Sequence, residues 1–235
     1  MNYLGCSGWS YDHWIGEFYP KNIERNQWLI HYAKYFNTVE INMSFYRFPW
    51  PNMVKGWYNK TPKDFKFTFK ANRQITHIKK LKNVKTLINR FYKLTDLMKE
   101  KLGCILWQFP PSLRLDLKKL QKFCKDLNTK YNNIIEFRHN SWYCQDVYKL
   151  LNKNNIGYCI VSAPQFPEDV HVTSNIAYIR FHGKQWYRYD YSQKELKQWA
   201  KIVKNLKTKD VYVYFNNDFN AFAVKNCLQL KKLLS

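Results

Sequence analysis

Eight short runs rich in apolar residues recur along the 235-residue chain, and segments with helical periodicity lie between most of them. Strands that alternate with helices predict a parallel sheet. Eight such strands in a chain of this length favour a closed TIM-type (β/α)8 barrel of the α/β class. An open, doubly wound sheet is the alternative, but no glycine-rich phosphate loop of the GxGxxG or Walker type supports it. The predicted strands are 3–7, 38–42, 66–70, 104–108, 134–138, 158–162, 178–182 and 211–216.

Helical patterns follow the first, third, fourth and seventh strands and close the chain. Ser192 and Glu195 have the spacing of a capping box, which marks the start of one helix. The segment 163–175 is rich in turn residues and predicts a loop without a helix. We find no linker, repeat or low-complexity segment, so we expect residues 1–235 to form one domain. The predicted helices are 28–36, 84–102, 116–131, 192–206 and 221–234.

The composition excludes several classes of protein. Hydrophobic residues make up 46% of the chain, which is too many for a disordered protein. No apolar run approaches the length of a membrane span, and no signal peptide is apparent, so we expect a cytoplasmic protein with no membrane partner. The six cysteines include no CxxC pair, so neither a disulfide framework nor a zinc knuckle is expected. Cys6, Cys104 and Cys159 fall in apolar runs, as core residues do.

The net charge of +22 indicates attraction to polyanions such as nucleic acids. Most of the basic residues are lysines, however, and the chain is also rich in asparagine. An AT-rich coding sequence produces both biases, so the overall charge does not by itself establish a nucleic-acid-binding protein.

Side-chain alternation in the segment YIRFHG (178–183) places polar groups on one face of a strand. Tyr178, Arg180 and His182 share that face, whereas Ile179 and Phe181 lie on the other. A buried charge is costly unless it is paired or bound to a ligand. The same phasing turns the apolar residues at 39, 41, 67, 69, 135, 137, 179, 181, 211, 213 and 215 outward to the helices.

The remaining positions predict a ring of polar side chains at the carboxyl ends of the strands, where TIM barrels hold their sites. The alternative is an ion network complete in itself, with Glu40 and Glu136 neutralising Arg138, Arg180 and Lys70. Folding gains little from buried ion pairs, so a ring this large favours a ligand site. Its members are Ser7, Glu40, Asn42, Lys70, Gln108, Glu136, Arg138, Ser162, Arg180, His182 and Asn216.

Loops after the strands contribute further candidates for substrate binding. Aromatic side chains there could stack on bases or sugars, and polar ones could complete the pocket. These loop candidates are Tyr11, Tyr46, His77, Trp186, Asn217 and Asp218.

The first functional hypothesis is binding of an anionic small molecule or nucleic acid through its phosphate, with or without phosphoester hydrolysis. Arg138, Arg180 and Lys70 would hold the phosphate, since arginine offers bidentate geometry. The candidate catalytic residues are Glu40, Glu136 and His182, with Glu136 or His182 as general acid or base.

Two other hypotheses stay open. A carbohydrate-active enzyme would use Glu40 and Glu136 as its paired carboxylates, and a non-catalytic module would use the same rim to bind a ligand. We predict no cofactor. Glu40, Glu136, His182 and Asp218 could hold a divalent metal, but the compact ligand spacings are missing and the adjacent arginines would repel a cation.

The motifs in order along the chain resemble those of the domain-of-unknown-function 72 family, also called YecE-like. The resemblance covers nearly the whole chain and implies a TIM barrel without an established activity. Its likeness to the endonuclease IV and sugar-isomerase barrels is one of fold only. The motifs are GCSGWSYDHWIGEFYP (5–20), FNTVEINMSFYRFP (36–49), WYNKTPKDFKFTFKANRQITH (57–77), LGCILWQFPPS (102–112), IEFRHNSWY (135–143), YIRFHG (178–183) and VYVYFNND (211–218).

Overall fold

Eight parallel strands form one sheet in a computed structural model that describes residues 1–235. Their order is β1-β9-β7-β6-β5-β4-β3-β2, and the first and last of these lie side by side, so the sheet is a nearly closed barrel. The predicted TIM-type barrel is confirmed. The strands are β1 Asn2–Cys6, β2 Thr38–Ile41, β3 Lys66–Lys70, β4 Leu102–Gln108, β5 Asn133–Glu136, β6 Gly157–Ser162, β7 Ile176–Phe181, β8 Lys184–Tyr187 outside the barrel, and β9 Asp210–Phe215.

Side chains join β1 to β2 where the backbone ladder is missing. Asn37 accepts a hydrogen bond from the Leu4 amide and donates one to the Asn2 carbonyl, each at 2.9 Å. The Tyr32 hydroxyl accepts from the Cys6 amide at 2.7 Å. Gly5 is required at this seam, since a Cβ there would lie 2.0 Å from the Thr38 carbonyl oxygen. These contacts satisfy backbone groups at the strand edges that the missing ladder would otherwise leave without protein partners.

The helices surround the barrel and include all five that the sequence predicts. The predicted helix 84–102 is an α-helix only to Thr95 and continues as a 3-10 helix over Asp96–Lys101, which is kinked at Lys99, where φ is +48°. The predicted extension 127–131 is wrong, since that helix ends at Asp126. The structure also contains helices at 51–59 and 145–153, where none was predicted. The predicted loop without a helix at 163–175 is confirmed. The helices are α1 Trp28–Tyr35, α2 Met43–Tyr46, α3 Pro51–Asn59, α4 Lys85–Thr95, α5 Leu117–Asp126, α6 Gln145–Lys153, α7 Gln193–Asn205 and α8 Phe222–Leu234.

The apolar residues form two separate layers, as the alternation predicts. Every strand position assigned outward belongs to the larger layer, between sheet and helices. A smaller layer fills the barrel and is rich in tyrosine, with Tyr3 stacked on Tyr212 at 4.6 Å between ring centroids. Cys6, Cys104 and Cys159 are buried and unpaired. None of the helices combines the length and the apolar character needed to cross a bilayer.

The capping box predicted at the start of α7 is present. The Ser192 hydroxyl accepts from the Glu195 amide, and the Glu195 carboxylate accepts from the Ser192 amide at 2.9 Å. This reciprocal pair satisfies backbone donors that the first helical turn leaves free. The capping box fixes the point where the segment between β7 and α7 ends. The same segment begins at the polar rim, just after β7.

Candidate functional site

A buried chain of three charged side chains crosses the barrel below the carboxyl ends of the strands. Arg180 of β7 donates to Glu40 of β2 at 2.6 Å and to Glu136 of β5 at 2.7 Å. All three residues are fully buried. Burial disfavours the charged form of Arg180, but Glu136 and Glu40 outweigh this and raise its pKa well above its ordinary value. One guanidinium thus joins two carboxylates from opposite parts of the sheet.

Glu40 uses both carboxylate oxygens within this network. Oε1 accepts from Ser7 at 2.7 Å as well as from Arg180, and Oε2 accepts from the Tyr178 hydroxyl at 2.5 Å. Tyr178 was assigned to the inward face but not to the site. The carboxylate therefore has no oxygen free for a ligand.

Glu136 is bound on both oxygens as well. Oε2 accepts from Gln108 at 2.9 Å in addition to Arg180, and Oε1 accepts from Arg138 Nε at 2.6 Å. Burial alone would raise the pKa of Glu136, but Arg138 and Arg180 hold it well below its ordinary value. Glu136 is consequently an ionised anchor that holds Arg138 at the mouth of the barrel.

His182 is a neutral member of this network. It is fully buried, and burial together with Arg138 and Arg180 lowers its pKa well below the ordinary value. Nε2 lies 2.9 Å from Arg138 Nη2, 3.4 Å from Arg180 Nη1 and 3.2 Å from Glu136 Oε1. Nδ1 lies 3.1 Å from Nδ2 of Asn216.

Lys70 stands at the carboxyl end of β3 with its amino group free. Its side chain is partly exposed, and Nζ lies 4.2 Å from the centroid of the Phe45 ring. Burial, reinforced by Arg180, lowers the pKa of Lys70 to about 7 although Glu136 and Glu40 act in the opposite direction. At neutral pH this amine is therefore divided between its charged and neutral forms.

The other predicted site residues near β1, β2 and β3 surround the network without joining it. Tyr11 and Asn42 both donate to the Ser7 carbonyl, at 2.6 and 3.1 Å. Tyr46 is 69% exposed. His77 packs edge-on against Phe45, and burial together with Lys70 lowers its pKa to about 4.

Asn217 and Asp218 lie apart from the polar network at the carboxyl ends of the strands, which Asn216 joins through His182. Asn217 is fully buried and donates to the Tyr189 carbonyl and to Asn226, each at 2.8 Å. Asp218 accepts from the Trp14 indole at 2.7 Å, and burial raises its pKa to about 6. Both side chains connect loops of the scaffold.

A cleft of about 500 Å³ opens beside Arg138, and we call it the Arg138 cleft. The Arg138 guanidinium lies over the Trp186 ring at 5.2 Å and is held from below by Glu136. No acidic side chain lines the cleft. Sequence reasoning named Gln108, Arg138 and Trp186 as site residues but not the other lining residues, most of which lie in irregular segments after the strands. The lining is Gln108, Pro111, Arg138, His139, Asn140, Gln165, Phe166, Trp186 and Tyr187.

The residues considered for a divalent metal do not form a site. Nowhere in residues 1–235 do three or more His, Cys, Asp or Glu side chains cluster as metal ligands. Glu40 and Glu136 bind opposite sides of one guanidinium, and Asp218 bonds to Trp14 and His13 instead.

Comparison with known proteins gives a consistent family match. The model for "Protein of unknown function DUF72" matches residues 3–235. UPF0759 protein YunF of Bacillus subtilis is 29% identical over all of this chain and 95% of its own length. UPF0759 protein YecE of Escherichia coli K12 is 28% identical over 62% of this chain, an alignment that spans about half (51%) of YecE.

Solved structures give the same result. A DUF72 family protein of Thermotoga maritima has a TM-score of 0.92 and 33% identity, covering 100% of this chain and 99% of the other. A DUF72 family protein of Enterococcus faecalis has a TM-score of 0.86 at 24% identity, covering 100% and 95% of the two chains, and supports the fold alone.

Proposed function

The chain belongs to the DUF72 family, whose description names no activity, and from the chemistry of its rim we propose that it binds an anionic, phosphate-containing ligand in the Arg138 cleft. One observation carries the proposal. The cleft is lined by Arg138, which Glu136 holds from below, and by polar groups of Gln108 and His139, and its lining contains no acidic side chain. A guanidinium over an aromatic ring and anchored by a carboxylate is pre-oriented for an oxyanion.

The balance of charge in the network supports an anion. Glu40 and Glu136 supply two negative charges, and Arg180 and Arg138 supply two positive ones. Lys70 is a further amine that no carboxylate pairs, and burial with neighbouring Arg180 lowers its pKa. An incoming phosphate would meet donors and a partly positive rim, whereas a cation would meet repulsion.

The proposal is limited to binding. General acid–base catalysis needs a group that reaches the reacting atoms, and Glu40, Glu136 and His182 are fully buried. Every carboxylate oxygen of the two glutamates already accepts at least one hydrogen bond. Carbohydrate hydrolysis would require both carboxylates to leave these partners, so the geometry favours it less than anion binding.

The test is a calorimetric titration of pyrophosphate into the wild-type protein and two variants. Arg138→Gln removes the cleft guanidinium, whereas Arg90→Gln removes an equal charge from the exposed face of α4, where Arg90 lies over Phe48. Loss of a charged hydrogen bond costs about 1.5–3 kcal/mol, so Arg138→Gln should weaken binding roughly 10- to 100-fold. Arg90→Gln should change it less than twofold.

Equal affinities for the two variants would overturn the proposal, because binding would then depend only on the overall charge. A parallel titration with a thymidine 10-mer distinguishes a small phosphate-containing ligand from a nucleic acid. A nucleic acid contacting several phosphates loses affinity steeply with salt, in proportion to the number of contacts. If the oligonucleotide depends on Arg138 while pyrophosphate does not bind, the ligand is a polynucleotide.

A further inference from the structure

We infer that Lys70 is a nucleophilic amine that condenses with the carbonyl group of a small phosphorylated aldehyde or ketone. The inference rests on the proposed function, because Arg138 would hold the phosphate of the same molecule. It adds a covalent site and a substrate class to an anion-binding cleft.

The geometry of Lys70 differs from that of other ordered lysines in the barrel. Lys101 is buried, but its Nζ donates to the Tyr58 and Thr61 carbonyls at 2.6 and 2.7 Å. Lys66, at the opposite end of β3, donates to the Glu100 carbonyl at 2.6 Å. The Lys70 amino group instead lies 4.2 Å from the centroid of the Phe45 ring, and no hydrogen bond holds it. A side chain that is held in place while its nitrogen is unbound can present that nitrogen to a ligand.

The electrostatic surroundings favour the neutral, nucleophilic form. Burial, Arg180 and Arg138 lower the pKa of Lys70 to about 7, against Glu136 and Glu40. His77 also faces Lys70, and burial together with that amine lowers the pKa of His77 to about 4, so it stays neutral near pH 7. The Lys70 amine is consequently unprotonated at a lower pH than an ordinary lysine, and the unprotonated amine is the form that a Schiff-base lysine needs.

The spacing between Lys70 and Arg138 suits a short ligand. Lys70 ends β3, and Arg138 follows β5, which is two strands away in the sheet. Lys70 pairs with Leu106 and Leu106 pairs with Ile134, so Arg138 lies four residues beyond the β5 position that is level with Lys70. Both side chains are on the inward face, and their charges are close enough to interact, since Arg138 contributes to the lowered pKa of Lys70. A short carbonyl compound with a terminal phosphate would contact both groups.

The reaction balances without any further reagent. The Nζ lone pair attacks the carbonyl carbon, and the C=O π electrons move to oxygen to give a carbinolamine. In forming the carbinolamine, the oxygen takes up one of the two nitrogen-bound hydrogens as a proton. The carbinolamine then loses its hydroxyl group and the one hydrogen left on nitrogen as a single water molecule. The product is a C=N bond to Lys70 plus water, with no oxidant or reductant consumed.

Pyridoxal phosphate is a suitable chemical probe because it carries an aldehyde and a phosphate. The wild-type protein is mixed with it at pH 7, reduced with borohydride and mapped by peptide mass spectrometry. Lys70 should be labelled at least tenfold faster than Lys66, the control at the other end of the same strand. Equal labelling of both lysines would overturn the inference.

Two further experiments test the reactivity of Lys70 and the binding of phosphate independently of each other. Added pyrophosphate should slow labelling of Lys70 but not of Lys66. Pyridoxal, which lacks the phosphate, should label Lys70 more slowly than pyridoxal phosphate does. If pyridoxal labels Lys70 as fast and pyrophosphate has no effect, the reactive amine is supported and the phosphate site is refuted. Because all arms use the unmodified protein, no variant has to fold.

Discussion

Replacing Arg180 with methionine tests whether the buried charged chain is held together as described. Arg180 is fully buried and makes the bonds at 2.6 and 2.7 Å to Glu40 and Glu136. Methionine fills part of the same volume but supplies neither charge nor donor. The variant therefore leaves Glu40 with only Ser7 and Tyr178 as partners, and Glu136 with Arg138 and Gln108.

The expected loss of unfolding free energy follows from the carboxylate charges that stay buried after Arg180 is removed. Removing one partner of a buried ion pair costs about 3–5 kcal/mol, because the other charge stays desolvated. For a chain of this size 1 kcal/mol lowers the melting temperature by about 2–4 °C, so Arg180→Met should melt roughly 6–20 °C lower. Neutralising a carboxylate in the same variant, as Glu40→Gln/Arg180→Met, should recover at least about 1 kcal/mol.

The assay is urea unfolding at pH 7, followed by circular dichroism, for the two single variants and the double variant. Arg90→Met on the exposed face of α4 is the matched control and should cost less than about 1 kcal/mol. The reasoning is refuted if Arg180→Met is no more destabilising than Arg90→Met. It is also refuted if the two single effects simply add, since additivity would mean that Glu40 and Arg180 do not interact.

Three other predictions concern the seam, the buried histidine and the helix cap. Asn37→Ala removes two bonds between β1 and β2 and should cost about 1–3 kcal/mol in urea unfolding; an effect below 0.5 kcal/mol would contradict the role given to the seam. His182 has a pKa lowered by burial and the nearby arginines, so only the unfolded chain takes up its proton below about pH 6.5. Wild-type stability should fall about 2 kcal/mol further than that of His182→Gln between pH 6.5 and 5, and equal pH slopes would argue that His182 is charged. Ser192→Ala should cost about 1 kcal/mol, measured by thermal melting, and an unchanged midpoint would show that the capping box adds nothing.

Strand periodicity predicted the barrel and the facing of its side chains because both depend on local alternation. Tyr178, Arg180 and His182 share the inward face as predicted, and Ile179 and Phe181 lie in the outer layer. The sequence offered an ion network of Glu40 and Glu136 with Arg138, Arg180 and Lys70 as the alternative to a ligand site, and the structure contains this network except for Lys70, which pairs with no carboxylate. Sequence alone could not indicate that Arg180 would be the residue shared by both glutamates, since that depends on the distance across the closed sheet. Pairing between strands remote in the chain is a tertiary property.

Loop residues were the least predictable part of the site. Asn216, Asn217 and Asp218 are consecutive, yet only Asn216 reaches His182, because the strand ends at Phe215 and regular alternation ends with it. The lining of the Arg138 cleft includes Gln165 and Trp186, both with positive φ (+67° and +48°). Such backbone conformations are set by packing and carry no periodic signal.

Two helices, at 51–59 and 145–153, were not predicted. Each has nine residues, but length alone does not explain the miss, because α1 has eight residues and was predicted. In α6 the buried face consists of Val147, Tyr148 and Leu151, so packing against the barrel stabilises a helix of marginal length.

The most direct test of the anion site is a crystal of the protein soaked with tungstate, a phosphate analogue with strong anomalous scattering. The account predicts an anomalous peak in the Arg138 cleft within hydrogen-bonding distance of the Arg138 guanidinium, and its loss in crystals of Arg138→Gln. A peak only at surface lysines, or an unchanged peak in the variant, would contradict the proposal that this cleft is built to bind a phosphate group.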